Sequence, residues 1–168
     1  MEHHATDLLA VAEQLAKERH AGQTDKAGAA YWTHPQRVSQ GCTSDEARIA
    51  GWLHDLIEDT DTTAEELLAL GFPPDVVAAV QLDTRRVDES YMDYIQRIVD
   101  ACDSQDPAVA RAGRIAREVK MSDLRDNMNL DRLQTVTDTD RARVEKYRAA
   151  YSVLENSCAP APGIDTTR

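Results

Sequence analysis

The chain has 168 residues, of which 42% are hydrophobic and 29% are charged, and this length fits one domain with a single core. Its net charge of −11, from 19 Lys and Arg against 30 Asp and Glu, argues against general DNA or RNA binding, which depends on neutralising phosphates. No apolar run approaches the ~20 residues that span a bilayer, and the N-terminus lacks the layout of a signal peptide. We therefore expect a cytoplasmic protein with neither nucleic-acid nor membrane partners.

Helical periodicity dominates the first half of the chain, and strand patterns are nearly absent. A first apolar stripe covers residues 5–21 and ends at Gly22. Residues 24–33 lack periodicity and are predicted to form a loop, after which Pro35 suits the first turn of a short second helix. Ser44 is the expected N-cap of a third helix, which is predicted to run through residue 60.

The second half of the chain continues the helical pattern. Thr63 followed by Glu66 resembles a capping box for a fourth helix that ends at Gly71. Four more helices are predicted over residues 73–82, 89–102, 107–128 and 138–155. Residues 156–168 contain Pro and Gly without periodicity and are predicted to be a disordered tail. The sequence thus predicts an all-α protein of about eight helices, with one domain over residues 1–155.

The three cysteines, Cys42, Cys102 and Cys158, are odd in number and far apart, and none belongs to a CxxC pair. This usage indicates neither a disulfide framework nor a thiolate zinc site. All three are predicted to be reduced thiols.

A cluster of ionisable residues in the third helix indicates metal chemistry. His54 and Glu58 are four residues apart and would share one face of a continuous helix, with Asp55 beside them. An imidazole next to a carboxylate suits Mn²⁺, Fe²⁺, Co²⁺ or Zn²⁺ better than Ca²⁺. Because one helix cannot surround an ion, further ligands must come from elsewhere, and His34 and Asp123 are the best candidates.

A second interpretation of the same cluster is structural. A His-Asp dipeptide on a helix is usually a surface pair or a satisfied core histidine. The apolar neighbours Trp52, Leu53, Leu56 and Ile57 favour the metal site, since ionisable groups drawn toward a core need partners. On these residues alone both interpretations stay open.

Three segments in conserved order and spacing resemble a known family: HAGQTDKAGAAYWTHPQRV, WLHDLIEDTDTT and VKMSDLRDNMNL. Together they resemble the HD superfamily of metal-dependent phosphohydrolases, and most of all its RelA/SpoT-type alarmone hydrolases. The resemblance covers about residues 20–130. It implies a helical bundle around one divalent ion, most often Mn²⁺, with Fe²⁺, Co²⁺, Zn²⁺ or Ni²⁺ as alternatives.

The resemblance also assigns roles to individual residues. The matched metal ligands are His34, His54, Asp55 and Asp123. Glu58 and Asp59 match an acidic pair that orients or activates the attacking water. The matched substrate contacts are Lys26, Asn127 and Arg85. The implied substrate is a small phosphorylated nucleotide, and the implied reaction is removal of the 3′-pyrophosphate of a guanosine 3′,5′-bis(diphosphate)-like molecule.

The chain departs from that pattern where the substrate would be recognised. Asp25 stands where many alarmone hydrolases have an arginine, and it would repel a polyphosphate. Leu130 replaces a common polar residue, and Ala30 and Asp83 replace a proline and a leucine. Two alternatives therefore remain: an HD-family nucleotidase or phosphodiesterase acting on another phosphorylated metabolite, and a non-catalytic nucleotide-binding module. The sequence does not indicate an oligomeric state.

Several other residues are assigned to background roles. His20 is expected to cap the end of the first helix. Tyr31 could line a pocket, but core packing against the turn at His34 and Pro35 is the favoured role. His3 and His4 lie near the N-terminus, where any metal contact would be adventitious.

Overall fold

A computed structural model describes the backbone of residues 2–158 and the side chains of residues 7–158. Over these residues the chain forms nine helices and no β-strand, which confirms the all-α prediction. The helices are α1 (Glu2–Arg19), α2 (Thr33–Gln40), α3 (Asp45–Leu53), α4 (Leu56–Asp59), α5 (Ala64–Ala69), α6 (Pro74–Asp83), α7 (Tyr91–Cys102), α8 (Pro107–Met128) and α9 (Asp138–Glu155).

The longest helix, α8, forms the centre of the bundle. It packs against α2, α3, α6, α7 and α9. Pro107 occupies its first turn, and the Asp106 side chain accepts hydrogen bonds from the N–H groups of Ala108 and Val109, which otherwise have no intrahelical partner. The core around α8 is mainly aliphatic, in keeping with the low aromatic content. This arrangement brings the middle of α8 beside α2 and α3.

Ser44 and Thr63, which the sequence predicts at the beginning of helices, both make capping hydrogen bonds. The Ser44 side chain accepts a hydrogen bond from the N–H of Ala47, and Thr63 accepts one from the N–H of Glu66. The carboxylate of Glu66, however, pairs with Arg19 of α1. The Thr63–Glu66 pair therefore caps α5 while it also ties α5 to α1.

The predicted third helix is split in two, and this is a correction. α3 ends at Leu53 and α4 begins at Leu56, with His54 and Asp55 between them. The His54 imidazole donates from Nδ1 to the Gly51 carbonyl at 2.7 Å. In a continuous helix that carbonyl would accept from the N–H of residue 55. The competing side-chain bond, with Asp55 at φ −94° and ψ −5°, accounts for the break.

Gly51 allows α3 to approach α2 closely. A Cβ atom at this position would lie 2.8 Å from Cα and 2.9 Å from N of Ser39, both of which are backbone atoms of α2. We expect Gly51→Ala to lower the free energy of unfolding by about 1–3 kcal/mol, because the two helices must move apart. Urea denaturation measures this loss. Unchanged stability would show that α2 can shift without cost.

The prediction of three reduced cysteines is wrong. Cys102, at the end of α7, forms a disulfide bond with Cys158, while Cys42 is free and buried. The two bonded residues are 56 positions apart in sequence, but their Cα atoms are 5.9 Å apart, within the usual range for a disulfide. Sequence spacing alone could not reveal this pairing, because it depends on α9 returning to the end of α7.

The C-terminal boundary is only partly described. Residues 156–158, assigned to the tail, continue from α9: the Asn156 N–H donates to the Ser152 carbonyl and the Ser157 hydroxyl to the Leu154 carbonyl. Residues 159–168 lie outside the described part of the chain, so the boundary at residue 155 stays a prediction. Within residues 2–158, no helix has the length and apolar character needed to cross a membrane.

Candidate metal centre

Three separate parts of the bundle deliver the predicted metal ligands to one place. His34 comes from the first turn of α2, His54 and Asp55 from the break between α3 and α4, and Asp123 from the last third of α8. His34, His54 and Asp123 are buried, and each offers a ligand atom within 4.8 Å of the others. These three residues form a group that can hold a metal ion.

Asp55 borders the same group. Its Oδ2 atom lies 3.2 Å from His54 Nε2 and 3.6 Å from His34 Nε2. Asp123 Oδ1 lies 2.9 Å from His34 Nε2 and 3.6 Å from His54 Nε2. Two imidazole nitrogens thus face two carboxylate oxygens, a mixed set of the kind that can bind a transition metal.

The contacts behind the two histidines fix the orientation of their rings. His34 Nδ1 lies 2.7 Å from Asp126 Oδ2, and His54 Nδ1 lies 2.7 Å from the Gly51 carbonyl oxygen. Because each Nδ1 is bonded to an acceptor, each Nε2 is directed toward the ligand group. Metal-binding histidines are usually held in this way.

The electrostatics of the group favour a bound cation. Burial lowers the pKa of His34, but hydrogen bonds to Asp123 and Asp126 outweigh it and raise that pKa to about 9. Burial likewise lowers the pKa of His54, but the nearby carboxylates of Asp55 and Asp123 outweigh burial and raise that pKa well above its usual value. His54 Nε2 is buried and lacks a hydrogen-bond partner within the described part of the chain. A divalent ion would satisfy this atom and both carboxylates.

Two further residues contact the predicted ligands from positions close to Asp123 on α8. Asp126 accepts from Nε and Nη2 of Arg37, at 2.7 and 3.1 Å, and also bonds His34. Despite partial burial, these contacts lower the Asp126 pKa to about 2. Lys120, whose side chain is 12% exposed, donates to Asp123 Oδ2 at 2.8 Å. Lys120 and Asp126 each lie three residues from Asp123, about one helical turn before and after it. This spacing is the feature of the sequence that could have indicated their contacts with the ligands.

Glu58 and Asp59 lie at the exposed edge of the centre. The sequence argument placed Glu58 on the same helical face as His54, but the helix break lies between them, so that argument is wrong. Glu58 Oε1 accepts the backbone N–H of Arg85 at 3.2 Å, and Asp59 Oδ2 lies 3.4 Å from the Tyr31 hydroxyl. Partial burial and the charge of Asp55 raise the pKa of both carboxyls.

A pocket of about 320 Å³ opens beside His34. Two of the three predicted substrate contacts line it: Lys26, whose Nζ lies 3.4 Å from Asp140 Oδ1, and Asn127, which donates to Asp123 Oδ1 at 2.9 Å. Arg85 instead lies beside Glu58, and its guanidinium donates to the Glu89 carbonyl. The basic side chains that line the pocket are Lys26, Arg37, Arg132 and Arg143.

Asp25 has a structural role that the sequence argument missed. Its Oδ1 atom accepts hydrogen bonds from the N–H groups of Ala27 and Ala29, both at 2.9 Å, and so closes the loop. Its Oδ2 atom lies 3.4 Å from Arg132, which also contacts Asp126 at 3.3 Å. The negative charge of Asp25 is therefore partly offset at the pocket wall by Arg132.

Several known proteins are similar to this chain over part of its length. One is the guanosine-3′,5′-bis(diphosphate) 3′-pyrophosphohydrolase of Aquifex aeolicus, 43% identical over 60 residues, which are 33% of this chain and 9% of that protein. Another is the probable enzyme of the same name from Synechocystis, 42% identical over 67 residues, which are 38% of this chain and again 9% of that protein. The matched segment is thus about a tenth of these relatives.

A solved structure and a family model cover much more of the chain. The structure is of a metazoan ortholog of SpoT described as hydrolysing ppGpp; it is 24% identical, with a TM-score of 0.64 over 89% of this chain and 86% of that one. At this identity the likeness shows the fold. The family model, described as HD domain, matches residues 12–151 and so includes all the predicted ligands and acids. Since that match spans most of the sequence, the chain belongs to the HD domain family.

Proposed function

We propose that this chain is a metal-dependent phosphohydrolase that removes the 3′-pyrophosphate from a guanosine 3′,5′-bis(diphosphate)-like nucleotide. The observation that carries the proposal is the convergence of ligand atoms of His34, His54 and Asp123 within 4.8 Å, beside a pocket whose lining includes four Lys and Arg side chains and three aspartates. The names of the partial relatives support the choice of substrate.

In this proposal His34, His54, Asp55 and Asp123 hold one divalent ion. Mn²⁺ is the proposed metal, because two imidazoles with two carboxylates suit a transition metal of intermediate hardness. When bound, the ion supplies Lewis acidity and lowers the pKa of water. Asp126 and the Gly51 carbonyl keep the two imidazoles turned toward it.

The acids at the exposed edge take the proton of the attacking water. Glu58 is the proposed base, since its raised pKa brings it closer to neutral pH, where a general base is most effective. Asp59 assists in orienting the water. Water is consumed, and the products are the nucleoside 5′-diphosphate and pyrophosphate.

Cations of the pocket and its edge offset the charge of the substrate. Lys26 is 60% exposed at its side chain and is free to turn toward a phosphate, and Asn127 extends from the same helix as Asp123. Arg85 is proposed as a contact on the side of Glu58. These groups supply the local positive charge that an acidic protein needs to bind a polyphosphate.

Pyrophosphate release tests the proposed reaction. Chelator-treated protein is supplied with Mn²⁺ and guanosine 3′,5′-bis(diphosphate), and the products are separated by anion exchange. We expect equal amounts of pyrophosphate and guanosine 5′-diphosphate, with none when EDTA is present. No turnover by metal-loaded protein would overturn the assignment.

A second candidate is hydrolysis of a different phosphorylated metabolite by the same centre. The contacts of Asp25 favour it, because its carboxylate is built into the pocket wall where many alarmone hydrolases have an arginine. A panel of nucleoside monophosphates, phosphodiesters and bis(diphosphates) separates the candidates by kcat/KM. Tight binding of a nucleotide without hydrolysis under any metal would indicate a non-catalytic binding module.

A further inference from the structure

Tyr31 connects the candidate metal centre to one of its acids. The phenol donates a hydrogen bond to Asp55 Oδ2 at 2.6 Å, and the same hydroxyl lies 3.4 Å from Asp59 Oδ2. The same Asp55 Oδ2 atom lies 3.2 Å from His54 Nε2 and 3.6 Å from His34 Nε2. The hydroxyl of Tyr31 therefore lies between a proposed ligand and a proposed catalytic acid.

The ring of Tyr31 is held firmly in this position. It packs between the imidazoles of His20 and His34, with ring centroids 4.9 and 5.9 Å away. His20 is 1% exposed, and its Nδ1 lies 2.9 Å from the side-chain oxygen of Gln23. The Tyr31 backbone N–H donates to the Gln23 carbonyl at 2.9 Å, and its carbonyl accepts the N–H of His34. The hydroxyl is thus aimed by both ring packing and backbone bonds.

We propose that Tyr31 is a positioning residue that holds the carboxylate of Asp55 toward the metal ion and separates Asp55 from Asp59. This inference rests on the proposed metal site, and it gives the Tyr31 hydroxyl a role beyond the core packing favoured from the sequence.

The chemistry of the contact supports this role. A 2.6 Å bond from a hydroxyl to a carboxylate is short and charge-assisted, and such bonds are about twice as strong as neutral ones. Asp55 and Asp59 are neighbouring anions, and the donor between them reduces their repulsion. Loss of a group that hydrogen-bonds to a metal ligand typically lowers metal affinity by about 10–100-fold. A residue that only fills space would contribute nothing through its hydroxyl.

The variant Tyr31→Phe isolates the hydroxyl, because it keeps the ring that packs on His20 and His34. Tyr151→Phe is the matched control: it also removes a phenol hydroxyl, one that accepts from Arg125 at 3.2 Å on the protein surface. Mn²⁺ binding to chelator-treated protein is measured by titration calorimetry without any nucleotide. Melting temperatures of the metal-free proteins show whether either change affects the fold.

We expect Tyr31→Phe to weaken Mn²⁺ binding by about 10–100-fold, with metal-free melting close to wild type, and Tyr151→Phe to bind as wild type does. With saturating Mn²⁺, Tyr31→Phe should still show a lower kcat, because Asp59 loses its contact with the Tyr31 hydroxyl. Mn²⁺ affinity within twofold of wild type would overturn the role, whatever happens to stability. If wild type binds Mn²⁺ but hydrolyses no nucleotide, the proposed reaction fails while the affinity comparison still decides the role of Tyr31.

Discussion

Glu58→Gln is expected to lower kcat by about 10²–10⁴-fold while the metal content stays near one ion per chain. Glutamine keeps the size of the side chain and its hydrogen-bonding reach, so it can still accept the N–H of Arg85. It cannot accept a proton at neutral pH. Because the lost interaction develops in the transition state, KM should change little.

Metal analysis and steady-state kinetics on one preparation separate the roles of Glu58. Glu65→Gln is the control: it makes the same change at an exposed position on α5, and it should leave kcat and metal content unaltered. If Glu58→Gln retains the wild-type kcat, Glu58 is not the base. If it loses the metal instead, Glu58 belongs among the ligands.

Local signals in the sequence were sufficient for most of the helices. Ser44 and Thr63 each accept the N–H of a residue three positions later, and Pro107 occupies the first turn of α8. The information for these helix starts therefore lies in residues that are close in sequence. The break at His54 and Asp55 was missed because helical periodicity continues through it. The break depends on the hydrogen bond from the His54 side chain to the Gly51 carbonyl, and the spacing of hydrophobic residues contains no information about that bond.

The candidate site could be predicted only in part for a similar reason. Motifs, which combine residue type with spacing, predict His34, His54 and Asp123 as ligands, and the structure brings a possible ligand atom of each within 4.8 Å of the others. Asp126 and Tyr31 act through contacts with residues 92 and 24 positions away in sequence. Such pairs arise only once α2, the α3–α4 break and α8 have packed together. The assignments of Arg85 and Lys26 to the substrate stay predictions.

His54→Ala is expected to abolish metal retention, because it removes the buried imidazole of one of the proposed ligands. An ion that binds only the native state stabilises it by about 2.7 kcal/mol at a free concentration of 100 Kd. For a chain of this size, that free energy corresponds to a rise in melting temperature of about 5–10 °C. Wild type should show this rise with Mn²⁺, and His54→Ala should show none.

The melting temperature of each protein is measured with Mn²⁺ and with EDTA. The difference between the two values isolates the effect of the metal, because any effect of the substitution on the metal-free fold is present in both. The control replaces His3 and His4 with alanine, which tests for adventitious binding at the N-terminus and should preserve the full Mn²⁺-dependent rise. Loss of the rise in that control would place the metal at the N-terminus. An equal rise in melting temperature for His54→Ala and wild type would show that the bound ion does not depend on the imidazole of His54. The proposed ligand set would then be wrong.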